Sequence, residues 1–294
     1  MKVGFARVVE SARLYGDTYV TWFDSELARG ATPGQFLMLR CADLLPGVDL
    51  EGPPSAGSGQ GLTGASLADD PLLPRAMSYH RLRASSTGLR ASGAGGTEFA
   101  ILYEVVGRGT TWLARRQPGD RVFGWGPLGR GYSLRGGGQN LLLVGGGIGI
   151  APLVWLADEA VAKGKSVVLI DGARDASGVF PAELLPSEVE VVVTTEDGSL
   201  GRKGRVTDVF LDYYGWADAV FACGPNAMFA ALAELLMKHE GPGRARRRKP
   251  VQALLESPMA CGTGICYGCA VFDRRGEARL VCKDGPRFEL REMW

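Results

Sequence analysis

The chain has 294 residues, more than one compact core usually needs, so two or three domains are expected. Lys plus Arg number 33 and Asp plus Glu 32, and a net charge of +1 gives no general attraction to nucleic acid or anionic membranes. A 46% apolar share with 22% charged residues excludes global disorder, and the presence of only two histidines excludes mechanisms that need several imidazoles. The 43 glycines follow no collagen-like period and point to many tight turns and close backbone approaches.

The amino terminus, MKVGFARVVE, lacks an apolar core of signal-peptide length, which predicts a cytoplasmic protein. Val3 to Val9, Thr18 to Phe23, Gln35 to Leu39, Ala76 to Leu82, Glu98 to Val106 and Arg121 to Trp125 are short β-branched or aromatic runs. Turns such as Thr32-Pro33-Gly34 and Gln117-Pro118-Gly119-Asp120 separate them. The pattern predicts a small antiparallel β-barrel of six strands over residues 1–136. Residues 47–71, with six glycines, three prolines and no aromatic residue, are expected to be a flexible insertion, and 85–96 a second loose segment. Cys41 has no motif around it and reads as a core residue.

Over residues 137–243 strands and helices alternate, which predicts a parallel α/β domain. Its strands are Leu141 to Val144, Val167 to Asp171, Val189 to Thr194 and Ala219 to Ala222, with helices from Ala151 to Lys163 and Ala227 to His239. Residues 136–157 carry no charge. Even so, Gln139, Asn140, Pro152 and a glycine block make this stretch strand, turn and buried helix rather than a membrane span. Residues 244–294 read as a linker and a small cysteine-bearing domain. The basic run Arg244, Arg246, Arg247, Arg248 and Lys249 is either a solvated linker or a docking patch for an acidic partner.

Cys261-x4-Cys266-x2-Cys269-x12-Cys282 has the plant-type spacing of a [2Fe–2S] cluster. Gly262, Gly264 and Gly268 would let the loop wrap closely and aim N–H groups at sulfur. A four-cysteine zinc site usually pairs two C-x2-C knuckles, and only one occurs here; simple buried thiols are the remaining alternative. Leu141 to Val144 leads into Gly145, Gly146, Gly147 and Gly149 and then a helix, a strand–turn–helix that aims N–H groups at a phosphate. Asp171 stands where such folds hold a ribose hydroxyl, although a charge at a strand end is commonly only solvated. Arg75-Ala76-Met77-Ser78, Leu102-Tyr103-Glu104 and Gly109-Thr110 offer an Arg fork, a hydroxyl and a Gly-Thr turn for a flavin nucleotide's pyrophosphate. On spacing alone they read more simply as a surface arginine and an ordinary loop. No catalytic acid, base or nucleophile is assigned.

Together these features resemble the ferredoxin–NADP reductase superfamily: barrel with Arg-x-x-Ser, then Gly-Gly-Gly-Ile-Gly-Ile-Ala-Pro-Leu, then Cys223-Gly224-Pro225-Asn226 with Met228. The ending Glu256-Ser257-Pro258-Met259-Ala260-Cys261, with Val281-Cys282-Lys283-Asp284-Gly285-Pro286, is similar to the electron-transfer subunits of type B dihydroorotate dehydrogenases. The resemblance covers nearly the whole chain apart from residues 47–71. It implies FAD on the barrel, against Arg75, Ala76, Met77, Ser78, Leu102, Tyr103, Glu104, Gly109 and Thr110. It implies NAD on Gly145, Gly146, Gly147 and Gly149, with Cys223, Gly224 and Pro225 lining the nicotinamide, and iron on Cys261, Cys266, Cys269 and Cys282.

Ala76 departs from the family's usual proline, and Glu104 stands where a basic residue is common. The implied partner is an FMN-containing dihydroorotate dehydrogenase catalytic subunit, with two copies of each chain, acting in pyrimidine biosynthesis. The alternative is a reductase component serving another acceptor, such as an oxygenase. Arg174 could meet a 2′-phosphate, but no basic cluster surrounds it, which favours NAD over NADP. Phe288, Met293 and Trp294 make an apolar carboxy terminus that either closes the small domain or meets a partner.

Overall fold

The structure is a computed structural model that describes residues 1–42, 73–84, 97–241 and 248–294. The segments 47–71 and 85–96, together with Arg244, Arg246 and Arg247, lie outside the described residues.

The amino-terminal strands are β1 (Lys2–Tyr15), β2 (Thr18–Asp24), β3 (Phe36–Leu39), β4 (Arg75–Ser78), β5 (Arg81–Ala84), β6 (Thr97–Glu104) and β7 (Arg121–Leu128). They form an antiparallel sheet in the order β4-β3-β7-β1-β2-β6-β5. The run from Ala76 to Leu82 is two strands, not one. At its middle the Tyr79 N–H donates to the Gln35 carbonyl (3.1 Å) and the His80 N–H to the Ala100 carbonyl (2.8 Å). One bent segment thus bonds to both edges and curls the sheet into a barrel, which removes its free edges. A short helix, α1 (Arg108–Ala114), follows β6.

The second sheet contains β8 (Asn140–Gly146), β9 (Ser166–Ala173), β10 (Val189–Thr195), β11 (Arg202–Lys203), β12 (Ala219–Cys223), β13 (Val251–Leu254) and β16 (Arg287–Glu289). Its order is β11-β10-β9-β8-β12-β13-β16, parallel except for the last pair. The central runs are buried on both faces, as continuous Leu/Val segments of a parallel sheet require. The helices are α2 (Ile150–Ala162), α3 (Val206–Tyr214) and α4 (Asn226–Glu240).

α3 carries no helix signal in its residues, since its β-branched and aromatic side chains are weak helix formers. It forms because the Asp208 carboxylate accepts the Arg205 N–H (2.8 Å) and because Val206, Val209, Phe210 and Tyr214 bury one stripe. β13 and β16 come from the segment assigned to the linker and small domain, so the hydrogen-bonded α/β sheet runs past residue 243. What remains of that segment is the hairpin β14 (Ala270–Phe272) and β15 (Ala278–Leu280), the cysteine loop, and α5 (Leu290–Met293). Phe288 and Met293 are buried, and the Trp294 ring packs 5.6 Å from Phe229, so the apolar terminus closes this chain's own core. Among the described residues no helix is long and apolar enough to cross a membrane.

Barrel and α/β domain meet along α2. Trp155 packs with the barrel core beside Tyr79, Arg81 forms a two-pronged ion pair with Asp158 (2.7 and 3.0 Å), and His80 donates from Nδ1 to the Ala151 carbonyl (2.8 Å). Replacing Trp155 with Ala is expected to destabilise the protein by about 3–5 kcal/mol. Urea unfolding followed by circular dichroism measures this, and a loss below about 1 kcal/mol would show that α2 contributes little to the barrel core.

Candidate functional site

The four clustered cysteines occupy one loop and the base of the hairpin that follows it. Cys266 is exposed at the tip, Cys261 is half-buried, and Cys269 and Cys282 are buried. The twelve residues between the last two fold as β14 and β15, pairing Ala270 with Leu280. The open end of this hairpin brings the two sulfurs to 3.3 Å. Asp273 shapes its turn by accepting the Arg275 and Glu277 N–H groups (2.9 and 3.0 Å).

In the loop, the Thr263 N–H donates to Cys261 Sγ and the Gly268 N–H to Cys266 Sγ, both at 3.4 Å. Burial opposes ionisation of Cys261, but donors from Thr263 and Cys266 outweigh it and bring the thiol down to about 5. Cys282 is pushed up to about 12, by burial first and then by Cys269. The thiols thus stand as two pairs, Cys261 with Cys266 and Cys269 with Cys282. Among the described residues no three His, Cys, Asp or Glu side chains converge on one ion. Two pairs suit two irons with two thiolates each.

Beside this unit, Arg75 lies against the start of α1. A Cβ built on Gly109 would stand 2.9 Å from Arg75 Nε, so only glycine leaves room for the guanidinium. A cation held at the positive end of a helix is stabilised by an anion between them. Ala76 is exposed and Ser78 and Glu104 are half-buried, while Met77 and Tyr103 turn into the barrel core, where the Tyr103 hydroxyl bonds Thr21 (3.1 Å). Leu102 packs in the core of the α/β domain. The Thr110 hydroxyl accepts the Val106 and Gly107 N–H groups (3.0 and 3.2 Å) and so folds its own turn.

Across the domain junction, the glycine turn and Cys223-Gly224-Pro225 form one knot. Gly145 pairs with Cys223 in register, and a Cβ on Gly149 would fall 2.2 Å from the Cys223 carbonyl oxygen. Gly146 and Gly224 both press on Met228. Burial raises the Cys223 thiol well above its ordinary value, and nearby Glu256 adds to this. Glu256 is exposed as a residue, yet desolvation around its carboxyl and then Glu104 raise that group. It is a site residue missed from sequence, although it stands inside the quoted cysteine motif.

Thr194, in register with Gly172 and Gly146 at the carboxyl edge of the sheet, has a buried hydroxyl without a partner, the only such side-chain atom among the described residues. Arg174 is exposed beside loops carrying Asp175, Glu196 and Asp197. Asp171 does not face this edge; it is buried and accepts the Phe180 N–H (2.9 Å), so the ribose role expected from its position is not the one its geometry serves.

The family profile described as the iron-sulfur cluster binding domain of dihydroorotate dehydrogenase B matches residues 256–293. The dihydroorotate dehydrogenase B (NAD(+)) electron transfer subunit of Desulforamulus reducens is 33% identical over 98% of this chain and 96% of its own length. The chain belongs to this family of electron transfer subunits. The corresponding subunit of Bacillus caldolyticus is 41% identical over 66% of the chain and 73% of its own. Among solved structures, an NADH-dependent reduced ferredoxin-NADP oxidoreductase studied for flavin-based electron bifurcation shares 25% identity at a TM-score of 0.71, covering 98% of this chain and 89% of that one. A ferredoxin NADP+ reductase from Neisseria gonorrhoeae with bound FAD and NADP, 16% identical at a TM-score of 0.57, covers 84% of this chain and 96% of that one and shows the shared fold.

The buried groups at the domain junction carry a pH signature. Burial raises the Asp171 carboxyl to about 7, with the Phe180 N–H pulling the other way. An acid raised in the folded state binds more protons folded than unfolded, so its contribution falls as pH rises from about 3.8 to about 7. His80, lowered to about 4 by burial, acts oppositely, and stability is lost as pH falls from 6.5 toward 4. Asp171→Asn keeps an acceptor for Phe180. It is expected to stabilise the protein at pH 8 and to remove the fall in stability that Asp171 contributes between about pH 3.8 and 7, leaving the His80 rise in place. Melting temperature against pH measures this, and a profile parallel to the parent's would show that Asp171 ionises without penalty.

Proposed function

We propose that this chain carries electrons between NAD(H), FAD and a [2Fe–2S] cluster and exchanges them with an FMN-containing dihydroorotate dehydrogenase catalytic subunit, two copies of each chain forming the complex. The observation that carries this reading is the pairing of four thiols on a loop and hairpin that rest on the barrel, through Gly262 against Met38 and Leu128. When bound, FAD exchanges a hydride with nicotinamide while the cluster moves electrons singly, so together they join two-electron to one-electron chemistry.

Cys261, Cys266, Cys269 and Cys282 would hold the irons, with the Thr263 and Gly268 N–H groups on sulfur favouring the reduced state. Arg75 and the first turn of α1, with Gly109 and Thr110, would bind the flavin pyrophosphate. Ala76, Ser78 and Glu104 offer side chains on the open side of the barrel, and the inward-facing Met77 and Tyr103 and the packed Leu102 offer backbone. Gly145, Gly146, Gly147 and Gly149 would take the NAD pyrophosphate, and Cys223, Gly224 and Pro225 would orient the nicotinamide. Cys223 is a packing surface there, because burial holds its thiol neutral. The relatives are NAD(+)-linked by name, which supports NAD as the nicotinamide nucleotide.

Ile265 (82% exposed) and Tyr267 (67%) flank the exposed Cys266 and give the delivery face apolar contact for the partner. Tyr267 holds φ 58°, in the left-handed region that side chains rarely adopt.

Arg75→Ala is expected to weaken FAD binding by about 1.5–3 kcal/mol, the range for a hydrogen bond to a charged group. Flavin fluorescence titration measures this, and undiminished affinity would remove Arg75 from the site. Mixed with its co-purifying flavoprotein, the chain is expected to support orotate formation with NAD as sole oxidant. Cys266→Ser should abolish that activity while NADH-driven dye reduction at the flavin persists. Unchanged orotate formation in Cys266→Ser, or none with the unmodified chain, would refute the proposed route.

A further inference from the structure

Two residues between the Arg75–Ser78 strand and the cysteine loop take no part in the roles above. Residues directly opposite in a ladder carry their side chains on the same face. Ala76 lies opposite Met38 and Met38 opposite Trp125, so the three make a row across β4, β3 and β7. Met38 is fully buried, and a Cβ built on Gly262 would stand 2.6 Å from its Cγ. Gly262, at φ 68°, is therefore where the iron-ligand loop rests directly on the barrel. Trp125 completes the row by donating its indole N–H to the Cys261 carbonyl at 3.0 Å. The row starts at the exposed Ala76 and ends on the first cysteine. Cys269 and Cys282 are positioned instead by their hairpin, and Cys266 stands at the exposed tip.

A half-buried indole N–H usually finds a partner. The informative feature is which acceptor it finds. A loop with an exposed tip and several glycines has little to fix its distance from the flavin strand, and this bond supplies a fixed point at the ligand itself. The indole dipole also aims its positive end at the ligand residue, which favours the more negative, reduced cluster.

We infer that Trp125 is a positioning residue for electron transfer, holding Cys261 at a set distance from the flavin strand and raising the potential of the cluster. This rests on the reading of the cysteines and barrel given above. The step it governs is one-electron. Bound FAD and a bound cluster would exchange single electrons across this contact, the flavin losing one electron for each one the cluster gains.

The test uses the full chain loaded with FAD and cluster, comparing Trp125→Phe, which keeps an aromatic ring but loses the donor, with Met38→Leu, which conserves volume and leaves the donor in place. In Trp125→Phe, FAD content and NADH-driven dye reduction should match the parent, and the electron paramagnetic resonance signal of the reduced cluster should remain. Its reduction equilibrium should weaken about tenfold, a fall of roughly 59 mV for one electron. Stopped-flow bleaching of the cluster after NADH should slow by about the same factor. Met38→Leu should leave the potential unchanged. Parent-like potential and rate in Trp125→Phe would overturn the inference. So would loss of the cluster from that variant, since a change that keeps ring packing should not release the irons. Absence of the cluster signal from the unmodified chain would overturn the underlying reading instead.

Discussion

The cysteine unit is too small to bury a core of its own, so it shares one with both larger domains. Leu280, Val281, Cys269, Cys282 and Phe288 belong to the same cluster as Phe36, Met38 and Leu128 of the barrel and Val144, Val220 and Leu232 of the α/β domain. This shared burial decides where the thiols stand. β13 and β16 extend the parallel sheet on either side of the unit, so its two ends are anchored by strand hydrogen bonds. Arg291, on the last helix, adds a half-buried clamp, bonding Glu240 (2.6 and 3.2 Å), Glu289 (2.6 Å) and the Lys249 carbonyl (3.0 Å). Both ends of the unit are thus tied to the sheet and its first cysteine to the barrel, the arrangement that electron transfer over a set distance requires.

The junction between barrel and α/β domain is built from polar groups whose charged forms burial disfavours. His80 is lowered and Asp171 raised, both first by burial, and the Cys223 thiol is held up in the same way. Such groups supply directional hydrogen bonds, from His80 to the Ala151 carbonyl and from the Phe180 N–H to Asp171. The charged contacts lie outward, at Arg81–Asp158 on the rim and at Arg75 beside α1. This arrangement agrees with a sequence that offers no acid–base or nucleophilic machinery, because the chemistry belongs to the cofactors and the protein supplies position and field.

Much of the fold was legible along the chain. The runs Thr18 to Phe23, Val189 to Thr194 and Ala227 to His239 differ from the observed elements by one residue at each end or less. Strand periodicity and turn residues are local signals, and they survive tertiary packing when both agree. Two elements were not legible. α3 is built of residues that favour strands and is helical only because Asp208 caps it and the sheet buries its stripe. The break at Tyr79–His80 carries no Gly or Pro; it exists because the two edges of the barrel must be bonded by one segment. Likewise Asp171 has the spacing of a ribose ligand, but its side chain turns inward to Phe180, a direction that no spacing encodes.

The sequence by itself determined the spacing of Cys261, Cys266, Cys269 and Cys282, on which the proposed ligand set rests, because that spacing is a covalent property of one short segment. It also determined the glycine turn at Gly145 to Gly149, where the backbone conformation and the close approach of β12 admit little else. Only the tertiary structure decided that the thiols stand in two pairs, that Trp125 and Met38 carry the first of them, and that Glu256 lies beside Cys223. These are contacts between segments more than a hundred residues apart, or between side chains whose direction depends on which face of a sheet is buried. Composition and period fix which residues are apolar, but not which distant apolar surface they meet.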